Sequence, residues 1–373
     1  MHAREAVRRG IRATAARLPD LFARGTRLVV GFSGGQDSSC LLHALTTSRL
    51  GLEIVAVHVD HALRADSAAA AQRVVDSGLA MGVPVEVGRV DVAAYRRGLP
   101  GWSVQQAARA ARYQLLAAVA SEKRAAAVLV GHTADDQAET LLINLLRGTG
   151  MAGLAAMRID ETITLANLGP KVELPEIYAQ LEPEMLRVAR PLLSVSRATT
   201  RAYCDQIGLT LVEDPSNQSR MYTRNRVRLD LLPVLEAFNP AIRSVLARTA
   251  DLAGEDVAVL DALVDTLHAK LARAPQPDVV EYDLPLWRAQ PRALQRRLLR
   301  RGLEVLVGGL VDVRAAPIDD ALDLLQSGSP AQTYHLPYGI ELCVLSDTFI
   351  LRLHGRARPR QRQKTWDVEG PRV

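Results

Sequence analysis

The sequence predicts an α/β protein with a parallel sheet in its N-terminal part, helical domains behind it and a small α+β element at the C-terminus. Three observations predict this class. Between residues 27 and 131, short apolar runs alternate with helical patterns, which is typical of a parallel sheet covered on both faces. A loop with two adjacent glycines follows the first run directly. From residue 195 onward, helical patterns dominate.

The elements of the N-terminal part follow from the spacing of apolar residues. Val7, Ile11, Ala15 and Leu18 recur at helical intervals and predict an amphipathic helix that ends near Pro19. Nearly continuous apolar runs predict strands at residues 27–32, 52–59, 84–90 and 126–131. The intervening segments predict helices at residues 37–48, 66–80 and 103–121.

Polar segments follow three of the predicted strands. They read SGGQDS, HVDHALR and GHTADDQ, and each lies at or just after the end of a strand. Because the carboxyl ends of parallel strands meet at one edge of the sheet, where ligands bind, we expect these segments on the same rim.

The rest of the chain is predicted mainly from helical periodicity. Residues 159–186 are polar and contain prolines, so they predict an insertion or flexible loop. Helices are predicted at residues 195–207, 221–236, 240–273 and 291–307, and a strand pair at 333–336 and 340–353 with PYG as its turn. The resulting domains are 1–215 with the 159–186 insertion, 216–285 (helical), 286–355 (small α+β) and a basic, disordered tail at 356–373.

Composition limits the classes of function. The 373 residues are 48% hydrophobic and carry a formal net charge of +5, so a folded protein with a polyanionic partner is allowed. Three widely separated cysteines give no CxxC pair and no disulfide framework, which indicates a reducing, cytoplasmic location. No apolar stretch is long enough to span a membrane.

The glycine loop has the features of a phosphate cradle. Gly34 and Gly35 allow positive φ and converging backbone N–H groups, and Ser33 and Ser38 add hydroxyl donors at the start of a helix. The loop lacks the lysine and the spacing of GxxxxGK[ST], and it is not GxGxxG. Since a carboxylate repels phosphate, Asp37 is expected either to hold a bridging Mg²⁺ or to cap the helix.

SGGQDS after a strand resembles the SGGxDS signature of the PP-loop ATP pyrophosphatases. Four further stretches resemble bacterial tRNA(Ile)-lysidine synthetases over roughly residues 25–240. They are HVDHALRADS (58–67), QQAARAARYQLL (105–116), GHTADDQAETLLINLLRGTGMAGLAAM (131–157) and EDPSNQSRMYTRNRVR (213–228).

The resemblance implies a reaction in two steps. ATP adenylates the carbon-2 oxygen of the wobble cytidine in a CAU anticodon, and the amino group of free lysine then displaces AMP to give lysidine. It implies ATP and Mg²⁺ as cofactors, with tRNA(Ile) and free L-lysine as partners, and it allows a homodimer. Residues 1–215 would then be the catalytic domain, and residues 216–355 would bind tRNA.

Two carboxylates fit this chemistry by their spacing. Asp136 and Glu139 are three residues apart on a predicted helix at the ligand rim, so they share a face. They would bind the lysine ammonium and take its proton, or they would hold Mg²⁺. A solvated acidic face is the alternative when the pair is considered without its flanking residues.

The remaining candidate residues divide by ligand. The residues expected to bind ATP are Ser33, Gly34, Gly35, Gln36, Asp37, Ser38, His61 and His132. Those expected to contact tRNA, mainly as guanidinium groups on phosphates, are Arg112, Arg220, Asn225, Arg226, Arg228, Arg297 and Arg301. The expected catalytic residues are Asp37, Asp136 and Glu139, with Asp37 as the Mg²⁺ ligand.

Three rival functions have different requirements. A tRNA thiolase of the same superfamily would need a catalytic cysteine pair, which the sequence lacks. An amidating ligase would lack the EDPSN…RNRVR element and the basic helical region. A non-catalytic ATP sensor would not need Asp136 and Glu139 beside the loop.

Overall fold

The computed structural model describes residues 3–64, 66–212, 219–273, 278–309, 313–328 and 330–354. They form two compact units, one of residues 1–99 and 103–257 and the other of residues 100–102 together with those from 258 onward. The predicted tail at 356–373 lies outside the described residues. The predicted domain boundaries at residues 215 and 285 stay predictions.

The first unit contains a six-stranded sheet in the order β3-β2-β1-β4-β6-β5. The neighbouring strands are parallel except for the pair β5 and β6 at one edge. The middle of β1 and the whole of β4 are buried, and all four strands predicted from apolar runs are confirmed. The strands are β1 (Arg27–Gly31), β2 (Glu53–Asp60), β3 (Val85–Arg89), β4 (Ala127–Leu129), β5 (Asp160–Thr164) and β6 (Met185–Ala189).

The prediction of a flexible loop at residues 159–186 is wrong at both ends of that range, while the prediction that the segment is an insertion stays a prediction. β5 pairs antiparallel with β6, and β6 pairs parallel with β4. Because β5 is an edge strand with a single buried side chain, Ile163, its sequence lacks the apolar run that marks a central strand. Between the two strands, Leu165 and Tyr178 are buried in short 3₁₀ turns.

Helices follow the strands and cover the sheet. The predicted helices at 37–48, 66–80, 103–121 and 195–207 are confirmed, as is the N-terminal amphipathic helix, which ends before Pro19. The short α4 was not predicted. The helices are α1 (Ala3–Arg17), α2 (Gln36–Thr46), α3 (Ser67–Ala80), α4 (Val92–Arg97), α5 (Val104–Glu122), α6 (Ala134–Leu146), α7 (Met151–Leu154) and α8 (Arg197–Ile207).

The helix predicted at 221–236 is interrupted. α9 (Thr223–Arg226) leads into a wide π turn at Val227–Leu231, and α10 (Leu232–Phe238) follows. Pro233 has no N–H to donate to the carbonyl four residues earlier, so the regular ladder cannot continue through it. α11 (Ile242–Leu271) then confirms the long helix predicted at 240–273.

The second unit is a small α+β element. An antiparallel sheet in the order β7-β10-β9-β8 packs with three helices around Trp287 and Phe349. The single strand predicted at 340–353 is wrong, because residues 345–347 turn the chain between β9 and β10. The elements are β7 (Val279–Asp283), α12 (Leu284–Arg288), α13 (Arg292–Val307), α14 (Ala315–Ser327), β8 (Thr333–Leu336), β9 (Ile340–Val344) and β10 (Thr348–Leu353).

Candidate active site

The glycine loop joins β1 to α2 with one residue in the left-handed region. Gly34 has φ +76°, and a Cβ there would lie 3.0 Å from Val212 and from Val74. Gly35 has φ −72° and is the N-cap of α2. Any residue can adopt this angle, so Gly35 does not use the positive φ that the sequence allowed. The first N–H groups of α2 are directed into the loop because a helix leaves them without partners.

Two serines brace the loop from inside. The N–H of Ser33 donates to the Ser38 hydroxyl (3.2 Å), which donates in turn to the Gly35 carbonyl (3.0 Å). The Ser33 and Ser38 hydroxyls lie 3.1 Å apart. Gly131, at the end of β4, packs against the loop, since a Cβ there would lie 2.9 Å from the carbonyl of Asp37. The loop is therefore fixed by both adjacent strand ends.

Gln36 and Asp37 fasten the loop to α8. The Gln36 amide donates to the carbonyl of Arg197 (3.0 Å) and to the hydroxyl of Thr200 (3.2 Å). The Thr200 hydroxyl donates to the Asp37 carboxylate, and the Arg197 Nε lies 3.5 Å from it. Burial raises the pKa of Asp37, although the Thr200 hydrogen bond and the Arg197 charge oppose this.

The structure places Asp136 and Glu139 on one face of α6, as the spacing predicted, and both are buried. Asp136 closes a capping box by accepting hydrogen bonds from the N–H and the hydroxyl of Thr133, both at 2.9 Å. Burial alone would raise the pKa of Asp136, but the charges of Arg197 and Arg224 outweigh it and the net pKa is lowered. The Asp136 carboxylate is therefore ionised at neutral pH.

Glu139 is saturated by guanidinium donors. Its side chain is 0% exposed. Arg228 donates to both carboxylate oxygens (2.6 and 3.0 Å), Arg224 donates to one (2.9 Å) and Arg197 to the other (3.1 Å). Burial raises the pKa of Glu139, but the Arg228 hydrogen bond and the Arg197 charge outweigh this, so the net pKa is lowered. A lysine ammonium can reach Glu139 in this arrangement only by displacing a guanidinium.

Arg197 connects the loop to α6, and the sequence analysis missed it. Its Nε, Nη1 and Nη2 face Asp37, Glu139 and Asp136 at 3.5, 3.1 and 2.9 Å. Its backbone N–H donates to Asp135 at 2.7 Å, another buried carboxylate that was missed. The signal that could have found Arg197 is its place in the first turn of α8, the helix that follows β6, but residues 185–189 were not predicted as a strand.

His132 follows β4 and faces a cluster of arginines. Arg190 is 1% exposed and donates from Nε to the His132 Nδ1 at 3.2 Å. Burial, then the charges of Arg190 and Arg224, lower the pKa of His132 well below its ordinary value. Because a guanidinium can only donate, Nδ1 must accept and the proton of the neutral ring is on Nε2. His132 thus offers an N–H donor.

The other candidates of the N-terminal rim are more scattered. Arg112 is half-buried beside Tyr113, whose ring centroid lies 5.3 Å from the Arg112 guanidinium carbon and 4.7 Å from that of Arg109. Burial lowers the pKa of Arg112; Tyr113 opposes this, and the charges of Arg109 and Arg224 add to it. His61 is half-buried in the segment after β2.

The candidate residues at positions 220–228 are of two kinds: some hold the fold together and others are exposed. Arg228 and Arg224 bind Glu139, as described above. Asn225 is buried and donates to the Ser219 carbonyl at 2.7 Å, which holds the chain in place. Arg220 is exposed and pairs with Asp230 at 2.9 Å. Arg226 is exposed, so it remains accessible to a polyanion.

In the second unit, the arginines of α13 are paired with acids. Arg297 contacts Asp261 at 3.0 Å and Arg301 contacts Asp265 at 3.0 Å. Arg292 and Arg296 contact acids of α14 at 2.7 and 2.6 Å. The pairing reduces the positive field that the sequence of α13 suggested, and tRNA contact by Arg297 and Arg301 stays a prediction.

The donor set around the loop limits the metals that fit. Within the described ranges, no group of three or more His, Cys, Asp or Glu side chains is arranged to hold a metal ion. Mg²⁺ differs from Zn²⁺ in needing few protein ligands, because phosphates and waters complete its shell. The single loop carboxylate, Asp37, fits that mode.

In the described part of the chain, no helix is both long and apolar enough to cross a bilayer.

The fold and the glycine loop define a PP-loop domain, and the PP-loop family model matches residues 8–235. A tRNA(Ile)-lysidine synthase of Dehalococcoides mccartyi is 35% identical over 335 residues, which are 89% of this chain and 67% of the relative. A tRNA(Ile)-lysidine synthase of Salinispora tropica is 43% identical over 265 residues, 70% of this chain and 71% of the relative. The chain belongs to the tRNA(Ile)-lysidine synthase family.

A solved structure supports the fold alone. The U34-tRNA thiolase NcsA from Methanococcus maripaludis, determined with its [4Fe-4S] cluster, aligns with a TM-score of 0.52. The alignment covers 67% of this chain and 79% of the thiolase chain, at 17% sequence identity. The predicted α/β class with an N-terminal PP-loop domain is confirmed.

Proposed function

We propose that this protein ligates free lysine to carbon 2 of the wobble cytidine in the CAU anticodon of tRNA(Ile). ATP adenylates the carbon-2 oxygen and pyrophosphate leaves. The amino group of lysine then forms the C–N bond as the C–O bond to AMP breaks, and the proton of the amine passes to a base or to water. The observation that carries the proposal is the contact of the PP-loop carboxylate with the α6 carboxylates through Arg197.

The loop residues would bind the ATP phosphates. The N–H groups at the start of α2 have no helical partners and would donate to a phosphate, while the hydroxyls of Ser33 and Ser38 brace the loop that presents them. His132 adds a neutral Nε2–H donor at the same rim. Mg²⁺, held by Asp37, would neutralise phosphate charge as pyrophosphate leaves.

The α6 carboxylates would serve the lysine half of the reaction. Asp136 is ionised at neutral pH and is suited to binding an ammonium or accepting its proton. Arg226 and Arg220 on the surface and Arg112 at the rim would contact tRNA phosphates, since guanidinium groups match phosphate oxygens. Arg297 and Arg301 would add contacts in the second unit.

The cysteines weigh against a thiolase. Cys40 and Cys204 are buried, and burial raises the pKa of Cys40 above its ordinary value and that of Cys204 to about 12. The reactive form of cysteine is the thiolate, so these thiols are poorly suited to sulfur transfer.

The test is incubation of the full chain with ATP, lysine and unmodified tRNA(Ile). We expect pyrophosphate release to require ATP and tRNA, and lysidine and AMP to appear only when lysine is also present. A methionine tRNA serves as the control and should give no lysidine. Pyrophosphate release that is independent of tRNA, or AMP release that is independent of lysine, would contradict the proposal.

A further inference from the structure

The cluster formed by Asp37, Asp136, Glu139, Arg197, Arg224 and Arg228 balances three carboxylates against three guanidinium groups. We call it the six-residue charge cluster. Its centre already holds cations at the positions where the proposed function needs the substrate ammonium. One guanidinium must therefore leave before lysine can bind, and the contacts show which one a bound nucleotide can reach.

The three arginines are held to different degrees. Arg228 makes two hydrogen bonds to Glu139, at 2.6 and 3.0 Å. Arg224 binds Glu139 and also the Thr140 hydroxyl, both at 2.9 Å. Arg197 instead gives one N–H to each of three carboxylates, and its contact with Asp37 is stretched to 3.5 Å. Paired geometry on one carboxylate is the stronger arrangement, so Arg228 is the most firmly held, while the contacts of Arg197 are divided among three carboxylates.

The backbone of Arg197 is fixed, and its side chain is partly exposed. Its N–H is anchored to Asp135 at 2.7 Å, while the side chain is 23% exposed. A swing of the guanidinium therefore requires no shift of α8. A rotation of the side chain alone would vacate the space between Asp136 and Glu139.

Of the three guanidinium groups, Arg197 has the contact with the phosphate-binding loop, through Asp37. An ATP bound at that loop places several negative charges beside Arg197, and they compete with the carboxylates for its N–H groups. The arrival of the nucleotide would draw Arg197 away from α6.

We propose that Arg197 is a positioning residue that occupies the lysine-ammonium site until ATP binds, so that the nucleotide opens the site for lysine. This inference rests on the proposed function and adds an order of binding to it. Lysine binds weakly to the free protein and tightly to the protein that holds nucleotide.

The test measures lysine binding by calorimetry on the full chain, without tRNA and without turnover. We expect Arg197→Met to bind lysine about tenfold or more tightly than wild type in the absence of nucleotide, the effect of removing one competing charge-assisted contact. A residue with a purely structural role would not improve binding when removed. The matched control is Arg201→Met, one turn along α8, where the arginine pairs with Asp205 on the surface at 3.1 Å; its affinity should equal that of wild type.

A second measurement uses wild type alone and covers the case in which Arg197→Met does not fold. Magnesium and α,β-methylene-ATP should tighten lysine binding to wild type by about tenfold or more. Norleucine, which lacks the ammonium group of the side chain, should not bind in either condition.

Unchanged or weaker lysine binding by a folded Arg197→Met, or equal wild-type affinities with and without the analogue, would overturn the inference. Norleucine binding equal to that of lysine would do the same. Lysidine formation by the same wild-type preparation tests the proposed function separately. If wild type makes lysidine but Arg197→Met does not bind lysine more tightly, the proposed function is supported and the proposed role of Arg197 is excluded.

Discussion

The Nε of Arg190 donates a hydrogen bond to Nδ1 of His132 across 3.2 Å. Arg190 is in turn held by the Arg158 carbonyl at 2.6 Å and by Glu161 at 2.7 Å. This chain of contacts sets the direction of the imidazole and places its proton on Nε2. A donor with a fixed direction is what a phosphate or a ribose oxygen at this rim would need.

The protonation state of His132 is directly measurable. Burial and the neighbouring arginine charges lower its pKa, so nitrogen NMR should show a neutral Nε2–H ring throughout pH 6 to 8. Replacing Arg190 with Gln removes one positive charge and should raise the pKa of His132. A ring that titrates near its ordinary value of 6.5 in wild type would contradict the assignment.

Asp37→Asn tests the role of the loop carboxylate. The substitution keeps the shape of the side chain and its contact with Thr200, but it removes the charge that would hold Mg²⁺. We expect pyrophosphate release to fall about 100-fold or more, while thermal unfolding changes little. Asp76→Asn, on the exposed face of α3, is the control and should keep wild-type activity. Near-normal release by a folded Asp37→Asn would exclude Asp37 as the metal ligand.

Glu139→Gln should destabilise the first unit. The change leaves three guanidinium groups without their shared carboxylate, and breaking a buried ion pair costs about 3–5 kcal/mol. Urea unfolding measures this free energy. Glu255→Gln is the control, because its partner Arg17 is 4.0 Å away on the surface and such pairs contribute about 0–1 kcal/mol. A loss as small as that of the control would show that the cluster tolerates the missing charge.

The same variant gives a pH signature. The pKa of Glu139 lies below its ordinary value of 4.5 in the folded state. The ionised Glu139 side chain therefore contributes fully to the free energy of unfolding above pH 4.5. This contribution is lost as the pH falls through the folded pKa. We expect the stability gap between wild type and Glu139→Gln to be constant from pH 8 to 6 and to narrow below pH 4.5. A difference in stability that grows as the pH falls would show that the folded pKa of Glu139 is raised rather than lowered.

Gly131→Ala should disturb nucleotide binding from outside the loop. A Cβ there would lie 2.9 Å from the carbonyl carbon and oxygen of Asp37 and 3.0 Å from the N of Ser38. Backbone atoms cannot yield as a flexible side chain can, so the start of α2 must shift. We expect ATP affinity to fall by about tenfold or more, since a misplaced donor set loses charge-assisted hydrogen bonds. Gly98→Ala, with its nearest neighbour at 3.6 Å, should bind ATP normally.

The salt dependence of tRNA binding tests α13. If Arg297 and Arg301 contact phosphates, replacing both with alanine should reduce the salt slope by roughly one unit per contact and weaken matching and non-matching tRNAs alike. Replacing Asp261 and Asp265 with asparagine should strengthen binding, because it removes the acids that pair with the two guanidinium groups at 3.0 Å. An unchanged slope would leave these arginines as intramolecular partners of the two acids.

The sequence by itself determined the helices and strands whose side chains are buried at regular intervals or along most of their length. β1 and β4 are apolar runs because both of their faces are covered, so residues 27–32 and 126–131 could be predicted as strands without a structure. The edge strand β5 could not be predicted in this way, because Ile163 is its only buried side chain. The loop at Ser33–Ser38 and the shared face of Asp136 and Glu139 were also readable, since both depend on local spacing.

Tertiary structure alone decided which charges meet. Arg197 lies about 60 residues along the chain from Asp136 and 160 from Asp37, and no local pattern records that the three converge. Residues 292–301 contain no acid, yet Arg297 and Arg301 are neutralised by Asp261 and Asp265 on α11. The spacing of apolar residues along the sequence indicates which side chains are buried. Ion pairing depends instead on which elements the sheet order and helix packing bring side by side, and that is set by the fold as a whole.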